Sequence, residues 1–331
     1  MTEAVEEQGV KKAAPVGIDP DRLAATFADF GLGVPAAVTE LLGGGARSFR
    51  IDREDGQPVV LKVFNDALPY ATGKETYASQ LLRDLDVPMT RFLASDETRT
   101  RMPFRYTIAN YLPGRQVMTF KDAPDVGDLY RQMGEMLRKL HTVPVPGYGA
   151  FDADGLHDPV STNTEYLERR FAHSIGQFRH YGGGEALAQR LEAIFAAHAD
   201  VIAESRGAVF AHDDFQPHNV LGDRGTDGRL HLTGLLDFGN ARASDPICDL
   251  AKALFCSEHD APGSTRHIRA GYGAIDHPDP EAALWIYTLV HRVTMWMWLR
   301  HVGVILEGER HDLMADLEAM AEAGTSDAGR R

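Results

Sequence analysis

A chain of 331 residues, 44% hydrophobic and 25% charged, has ordinary globular composition and is long for one compact core but comfortable for two lobes. Its formal charge of −14 argues against nucleic acid or an anionic membrane as partner, since both repel it, and suits a cationic one. Two cysteines, Cys248 and Cys256, do not make a disulfide framework.

Residues 1–18 are polar and charged, carry no apolar run of the signal-peptide kind, and read as a disordered tail. Asp19-Pro20-Asp21 can cap a helix that runs through Phe30. Strands are expected over 37–42, 48–52 and 58–64, with an Asp55-Gly56 turn between the last two. In the third strand Val60, Lys62 and Phe64 share a face, so a charge stands inside an apolar strand and needs a partner. Glu75 supplies one at the start of a helix expected over 74–85, where Tyr77, Leu81, Leu82 and Leu85 recur at helical spacing. Strands over 91–94 and 105–112 follow, and Pro113-Gly114 breaks the pattern.

Beyond that break the chain turns helical, with helices expected over 126–141, 165–181, 184–204, 249–256 and 281–306. The stretch 284–306 is the longest apolar one, but His291, Arg292, Arg300 and His301 interrupt it. It therefore reads as a buried core helix and not as a membrane span, and the expected location is the cytoplasm. Trp296 and Trp298 are two apart on this helix and cannot face the same way. The organisation expected is an N-lobe over 19–112, a C-lobe over 113–323 and a second disordered tail over 324–331.

The chemistry concentrates in two clusters. His212-Asp213-Asp214-Phe215-Gln216-Pro217-His218-Asn219 follows a short apolar strand, and Asp237-Phe238-Gly239 follows Leu235-Leu236. Asp214 can orient a hydroxyl and take its proton, while Asn219 and Asp237 offer hard oxygen ligands to Mg²⁺. Gly43, Gly44 and Gly45, with Ser48 just beyond, join two strands where backbone N–H groups can approach phosphate oxygens because no Cβ stands in the way. Lys62 then grips the phosphates and Glu75 holds it in place. A metal-dependent hydrolase using His212, Asp214 and His218 leaves Lys62 and the Asp237 cluster unexplained. Five residues separate Asp237-Phe238-Gly239 from Asp245-Pro246, too few for an activation loop and peptide platform, so a small-molecule acceptor fits better than a protein.

In this order and spacing the fragments resemble the aminoglycoside phosphotransferase and choline kinase family, from about Leu41 to Ala253 and more loosely to about 306. The pieces that carry the resemblance are the Gly-rich turn, Lys62, Glu75, Ile108-Ala109-Asn110-Tyr111-Leu112-Pro113-Gly114, the two clusters above, and Asp245-Pro246-Ile247-Cys248-Asp249-Leu250-Ala251. The resemblance implies an α+β, two-lobed protein-kinase-like fold, with a small β-rich N-lobe carrying one key helix and a larger, mainly helical C-lobe. It implies ATP and Mg²⁺ as cofactors, Asp214 as the catalytic aspartate, and Asn219 and Asp237 as the metal ligands. The Asn110 C=O and Leu112 N–H are expected to meet the adenine edge, His212 to support the catalytic loop, and Asp249 to tie that loop down from below. Glu258 and Asp260 lie where family members place substrate-binding acids, which would complement the amino groups of an aminoglycoside-type antibiotic. A metabolic kinase acting on an amino alcohol, a sugar or homoserine is the alternative, and a non-catalytic nucleotide-binding protein a further one. Three departures stand out: Asp213 where the family more often has Gly, Asn240 in place of a common acid, and Ser244 in place of a usual Gly.

Overall fold

The computed structural model describes residues 17–41, 47–64 and 71–324. Helix α1 (Pro20–Asp29) starts where Asp19 Oδ1 accepts the N–H groups of Asp21 and Arg22, both at 3.0 Å, with Pro20 in the first turn. It lies on a five-stranded antiparallel sheet of order β1-β2-β3-β5-β4, built from β1 (Pro35–Leu41), β2 (Arg47–Arg53), β3 (Gly56–Val63), β4 (Phe92–Asp96) and β5 (Tyr106–Asn110). Strand β3 is central. Its Val59, Leu61 and Val63 are buried with Leu23 and Phe27 of α1 and with Phe49 and Ile51 of β2, in a core of their own. The two-residue period of a strand puts Lys62 on the opposite face.

Helix α2 (Ala71–Leu81) bridges the two parts of the molecule. Its Glu75 turns to the sheet, whereas Ala78 and nearby Leu82 belong to the large core of the rest of the chain. The helix ends four residues short of its expected limit. The Arg91 guanidinium donates to the carbonyls of Leu82 (3.0 Å) and Leu85 (3.1 Å), satisfying acceptors near the helix C-terminus without further helical turns.

The larger part begins with β6 (Arg115–Gln116) and α3 (Val126–Leu140). A hairpin follows, β7 (Tyr148–Phe151) and β8 (Leu156–Val160), and then α4 (Asn163–His180), α5 (Glu185–Ala197) and α6 (Ala199–Ala203). Strands β9 (Val209–Ala211), β10 (Val220–Arg224), β11 (Leu230–Leu235) and β12 (Arg242–Ser244) carry the signature loops between them. Helices α7 (Pro246–Asp260), α8 (Thr265–Tyr272), α9 (Pro280–His301) and α10 (Asp312–Ala323) complete the chain. The strands form two small antiparallel sheets, β11-β10-β6 and β8-β7-β12-β9. Leu129, Met133, Leu137 and Leu140 of α3 join Ile286, Leu289, Val290 and Val293 of α9 in one core. Helices α3 and α8 meet backbone to backbone: a Cβ at Gly134 would strike the Ile268 carbonyl, and one at Gly271 the Arg131 carbonyl.

The hairpin β7–β8 and the helices α8 and α10 were not expected from the sequence pattern. The stretch 184–204 is broken at His198, whose ring bonds the Ile194 carbonyl at 2.8 Å. Helix α7 starts earlier than expected because Asp245 caps it, accepting the Ile247 N–H at 2.7 Å. Trp296 packs on Phe178 at 4.7 Å between ring centroids, while Trp298 is 46% exposed, so the two do face different ways. Among the described residues no helix is long and apolar enough to cross a membrane.

Candidate active site

The centre of β3 presents Lys62 to two acids from other elements. Its Nζ lies 2.6 Å from Glu75 Oε1 and 3.4 Å from Asp237 Oδ1. Glu75 is buried and Lys62 is 20% exposed, so the pair opens to one side only. Burial works against the ammonium, but Asp237 and then Glu75 outweigh it, and the Lys62 pKa is held above its usual value. In turn the Lys62 ammonium holds the Asp237 carboxyl below the ordinary carboxylate range. Ser48 stands directly across from Lys62 in the β2–β3 register. Gly43, Gly44 and Gly45 lie outside the described residues.

The loop between β9 and β10 carries Asp214, whose side chain is 21% exposed. Asn219 Nδ2 donates both to Asp214 Oδ2 and to the Asp214 carbonyl, each at 2.9 Å. Both partners are acceptors, so the amide nitrogen is committed to Asp214 and the amide oxygen is the end left to offer a cation. The second loop is tied to the first, since Leu236 N–H donates to the Asn219 carbonyl at 2.8 Å. Asp237 itself sits in the left-handed region (φ 61°, ψ 78°), with its carboxylate half exposed and Oδ1 accepting the Gly239 N–H at 3.3 Å. An amide oxygen and a carboxylate oxygen on linked loops fit Mg²⁺, which takes one or two protein ligands and completes its shell with phosphate and water. A hydrolase ligand set does not form. His212 Nε2–H donates to the Leu236 carbonyl at 3.0 Å, and His218 Nε2 lies 3.4 Å from Asp260.

Below the loop, Asp249 of α7 accepts the N–H groups of His212 (2.7 Å, Oδ2) and Asp213 (2.8 Å, Oδ1). His141, at the end of α3, stands 3.1 Å from the same Oδ2, and its other ring nitrogen is 2.8 Å from Tyr272 Oη. Burial opposes the Asp249 charge, but the His141 hydrogen bond overcomes it and the carboxyl stays below its usual range.

Asp213 adopts φ 52°, a left-handed conformation that costs a non-glycine residue about 1–2 kcal/mol. Its buried carboxylate lies 2.8 Å from Arg242 Nε and 3.1 Å from Arg170 Nη2, and its carbonyl accepts from Lys252 Nζ. Burial opposes this charge too, but Arg170, then Arg242 and Lys252, hold the carboxyl far below the usual range. Lys252 also stands 3.5 Å from Asp214 Oδ1. Lys74 is pushed down to about 8 by burial and by neighbouring Arg242. Nothing in the sequence pattern marks His141, Arg170, Arg242, Lys252 or Lys74 as partners of these loops. The one available signal was Asp213, an acid in a place where glycine is more usual.

At the end of β5, the Asn110 side chain is used structurally: Oδ1 accepts the Arg91 N–H at 2.6 Å and Nδ2 donates to the Met89 carbonyl at 3.4 Å. Tyr111 N–H donates to the Pro58 carbonyl at 3.3 Å, whereas Leu112 N–H makes no hydrogen bond among the described residues. The two expected acceptor-binding acids part company. Glu258 accepts the Gly263 N–H (2.7 Å) and the Thr265 N–H (3.1 Å), closing the α7–α8 turn, while Asp260 reaches the Asp214 loop through His218.

No curated protein sequence shows significant similarity to the chain. Among solved structures, a thermostable mutant of aminoglycoside phosphotransferase APH(4)-Ia is 19% identical with a TM-score of 0.63, covering 94% of this chain and 99% of that one. A thermostable mutant of the same enzyme is known in ternary complex with ADP and hygromycin B. A fructosamine-3-kinase-like protein from Thermobifida fusca is 17% identical with a TM-score of 0.67, covering 93% of this chain and 99% of that one. These likenesses establish the two-lobed kinase-like fold. The model of the Phosphotransferase enzyme family matches residues 38–285, three quarters of the sequence, and the chain belongs to that family.

Proposed function

We propose that the protein is an ATP- and Mg²⁺-dependent O-phosphotransferase that transfers the γ-phosphoryl group to a hydroxyl of a small cationic molecule, an aminoglycoside-type antibiotic. The reading rests above all on one arrangement: Asp214 and Asn219 on one loop, linked to Asp237 on the next, facing the Lys62–Glu75 pair. Residues 19–112 form the nucleotide-binding lobe in this reading and 113–323 the catalytic and acceptor-binding lobe.

Each side chain then has a task that its surroundings support. Lys62, kept charged by its two acids, meets the phosphates, with Ser48 across the strand pair from it, and the backbone N–H groups of Gly43, Gly44 and Gly45 are assigned to the same phosphates from their sequence pattern alone. The Asn110 carbonyl and the Leu112 N–H meet the adenine edge. Asn219 and Asp237 hold Mg²⁺, which neutralises charge on the triphosphate when bound. Asp214 accepts a hydrogen bond from the acceptor hydroxyl and aligns its oxygen with the phosphorus, taking the proton as transfer proceeds. His212 and Asp249 keep the loop in shape from below. The net charge of −14, with Asp260 beside the catalytic loop, favours a cationic acceptor.

Asp214→Asn tests the chemistry. It keeps the shape and the Asn219 contact but not the base, so kcat should fall by on the order of 10²–10⁴ with nucleotide affinity nearly intact. Near-normal turnover would end this assignment of Asp214. The acceptor is tested by expressing the gene and measuring resistance to a panel of aminoglycosides, hygromycin B included, alongside thermal shifts of the protein with a non-hydrolysable ATP analogue. The fit to the fructosamine-3-kinase-like protein favours a second reading, a metabolic kinase for an amino alcohol, a sugar or homoserine. No change in resistance across the panel, with a thermal shift from such a metabolite, would select it.

A further inference from the structure

We infer that Asp213 is a positioning residue whose carboxylate, held between Arg170 and Arg242, locks the catalytic loop to the strand that follows Asp237. The inference rests on the phosphotransfer reading for its consequence, but the lock itself is a matter of geometry. Every polar group of Asp213 is engaged. The N–H goes to Asp249 and the carbonyl to Lys252, both on α7, while the carboxylate goes to Arg170 of α4 and Arg242 of β12. Arg242 lies five residues beyond Asp237, and its strand pairs with β9 immediately before the catalytic loop, Arg242 opposite Ala211. One buried carboxylate thus ties together both loops that carry reacting groups.

Two further observations separate this from ordinary loop support. The backbone of Asp213 is left-handed, where glycine fits without strain, so shape alone does not call for a carboxylate. Its charge is also the reverse of the protein-kinase arrangement. There the residue before the catalytic aspartate is the arginine of H-R-D. In those enzymes activation loops are ordered when phosphorylation brings a phosphate to arginine side chains. Here the anion is built into the loop and the cations come from α4 and β12, so the pairing is permanent. Lys74, the residue before Glu75, lies within electrostatic reach of Arg242, Asp213 and Arg170, which carries the cluster up to the helix that positions Lys62.

The test uses MgATP hydrolysis without acceptor, water taking the phosphoryl group, together with amide hydrogen exchange across 212–219 and 237–244. Asp213→Gly relieves the backbone and removes the lock. It should lower kcat about 30-fold or more, keep the KM for ATP within about threefold, and raise exchange about tenfold in both segments together. Arg242→Gln should do the same, and the double variant should be no worse than the poorer single one, because the two residues act as a unit. If Asp213→Gly does not fold, the same cycle is read on Asp213→Asn and Arg242→Lys. The inference is overturned if loss of the carboxylate leaves kcat within about threefold of the parent, if exchange rises in one segment alone, or if the single effects multiply. Normal turnover in Asp214→Asn would count against the phosphotransfer reading, yet leave the exchange result standing.

Discussion

The Lys62–Glu75 pair and the Asp213 cluster are built from similar parts to different ends. In each a buried carboxylate meets cations from distant elements: Glu75 meets Lys62, and Asp213 meets Arg170 and Arg242. The first is incomplete on one side, because Lys62 keeps an exposed edge and reaches toward Asp237, whose carboxylate is half exposed. The second is closed, with every polar group of Asp213 already engaged. A charged pair left open is poised for a ligand, whereas one that is saturated holds its neighbours in place. Two buried ion clusters in one molecule therefore call for opposite experiments: ligand affinity should respond to the first and loop order to the second.

The largest expected effect falls on the open pair. Lys62→Met removes the proposed phosphate contact and leaves Glu75 buried without its cation. The kcat/KM for MgATP should drop by on the order of 10²–10³, as when a fixed electrostatic contact to the reacting group is lost. Stability should fall by about 2–4 kcal/mol, less than for a fully buried pair because Lys62 is partly exposed. Steady-state kinetics and urea unfolding read the two losses separately. An unchanged urea midpoint would mean that Glu75 does not depend on Lys62, and the comparison with Asp213 would lose its basis.

The same contrast explains how much could be read from the chain. Lys62 was legible because a charge in an apolar strand requires a partner, and Glu75 lay near the start of the helix expected next. The closeness of Asp214, Asn219 and Asp237 was legible because they lie at short offsets on two loops that follow short apolar strands. The sheet and the long helices followed from their two- and 3.6-residue periods. The partners of Asp213 and Asp249 carry no such mark. Arg170 sits in a helix already rich in Arg and His, Arg242 on a three-residue strand, and His141 at the end of α3. They are assembled by tertiary packing, and nothing adjacent to them in the chain signals the contact. Glu258 shows the converse: its position suggested a ligand, but the turn after α7 had unpaired N–H groups that took its carboxylate first.

A middle-sized effect tests whether Asp249 belongs with the closed cluster. Asp249→Asn keeps one acceptor oxygen but replaces the other with a donor that faces an N–H group. One of the loop contacts, to His212 or Asp213, must therefore be lost. We expect a loss of about 2 kcal/mol in urea unfolding, together with faster amide exchange at Asp213. Stability within about 0.5 kcal/mol of the parent would place Asp249 outside the cluster.

An effect no larger than that at Asp249 probes the surroundings of His291, beneath the closed cluster, through pH. His291 of α9 is buried, donates Nε2–H to the Cys248 carbonyl at 2.8 Å, and is pushed down to about 3 by burial and by the nearby positive charge of Arg170. An unfolded histidine titrates near 6.5, so between that value and about 3 the unfolded chain binds a proton that the folded one refuses. The stability contributed by neutral His291 is thus complete above pH 6.5 and is lost as the pH falls, by about 1.4 kcal/mol per unit once well below it. Melting temperatures at pH 7 and pH 5 for the parent and for His291→Gln measure this term. The parent should lose about 2 kcal/mol more than the variant over that interval, a difference of several degrees. If both lose the same amount, His291 is not being kept neutral in the folded chain by its burial and the neighbouring Arg170.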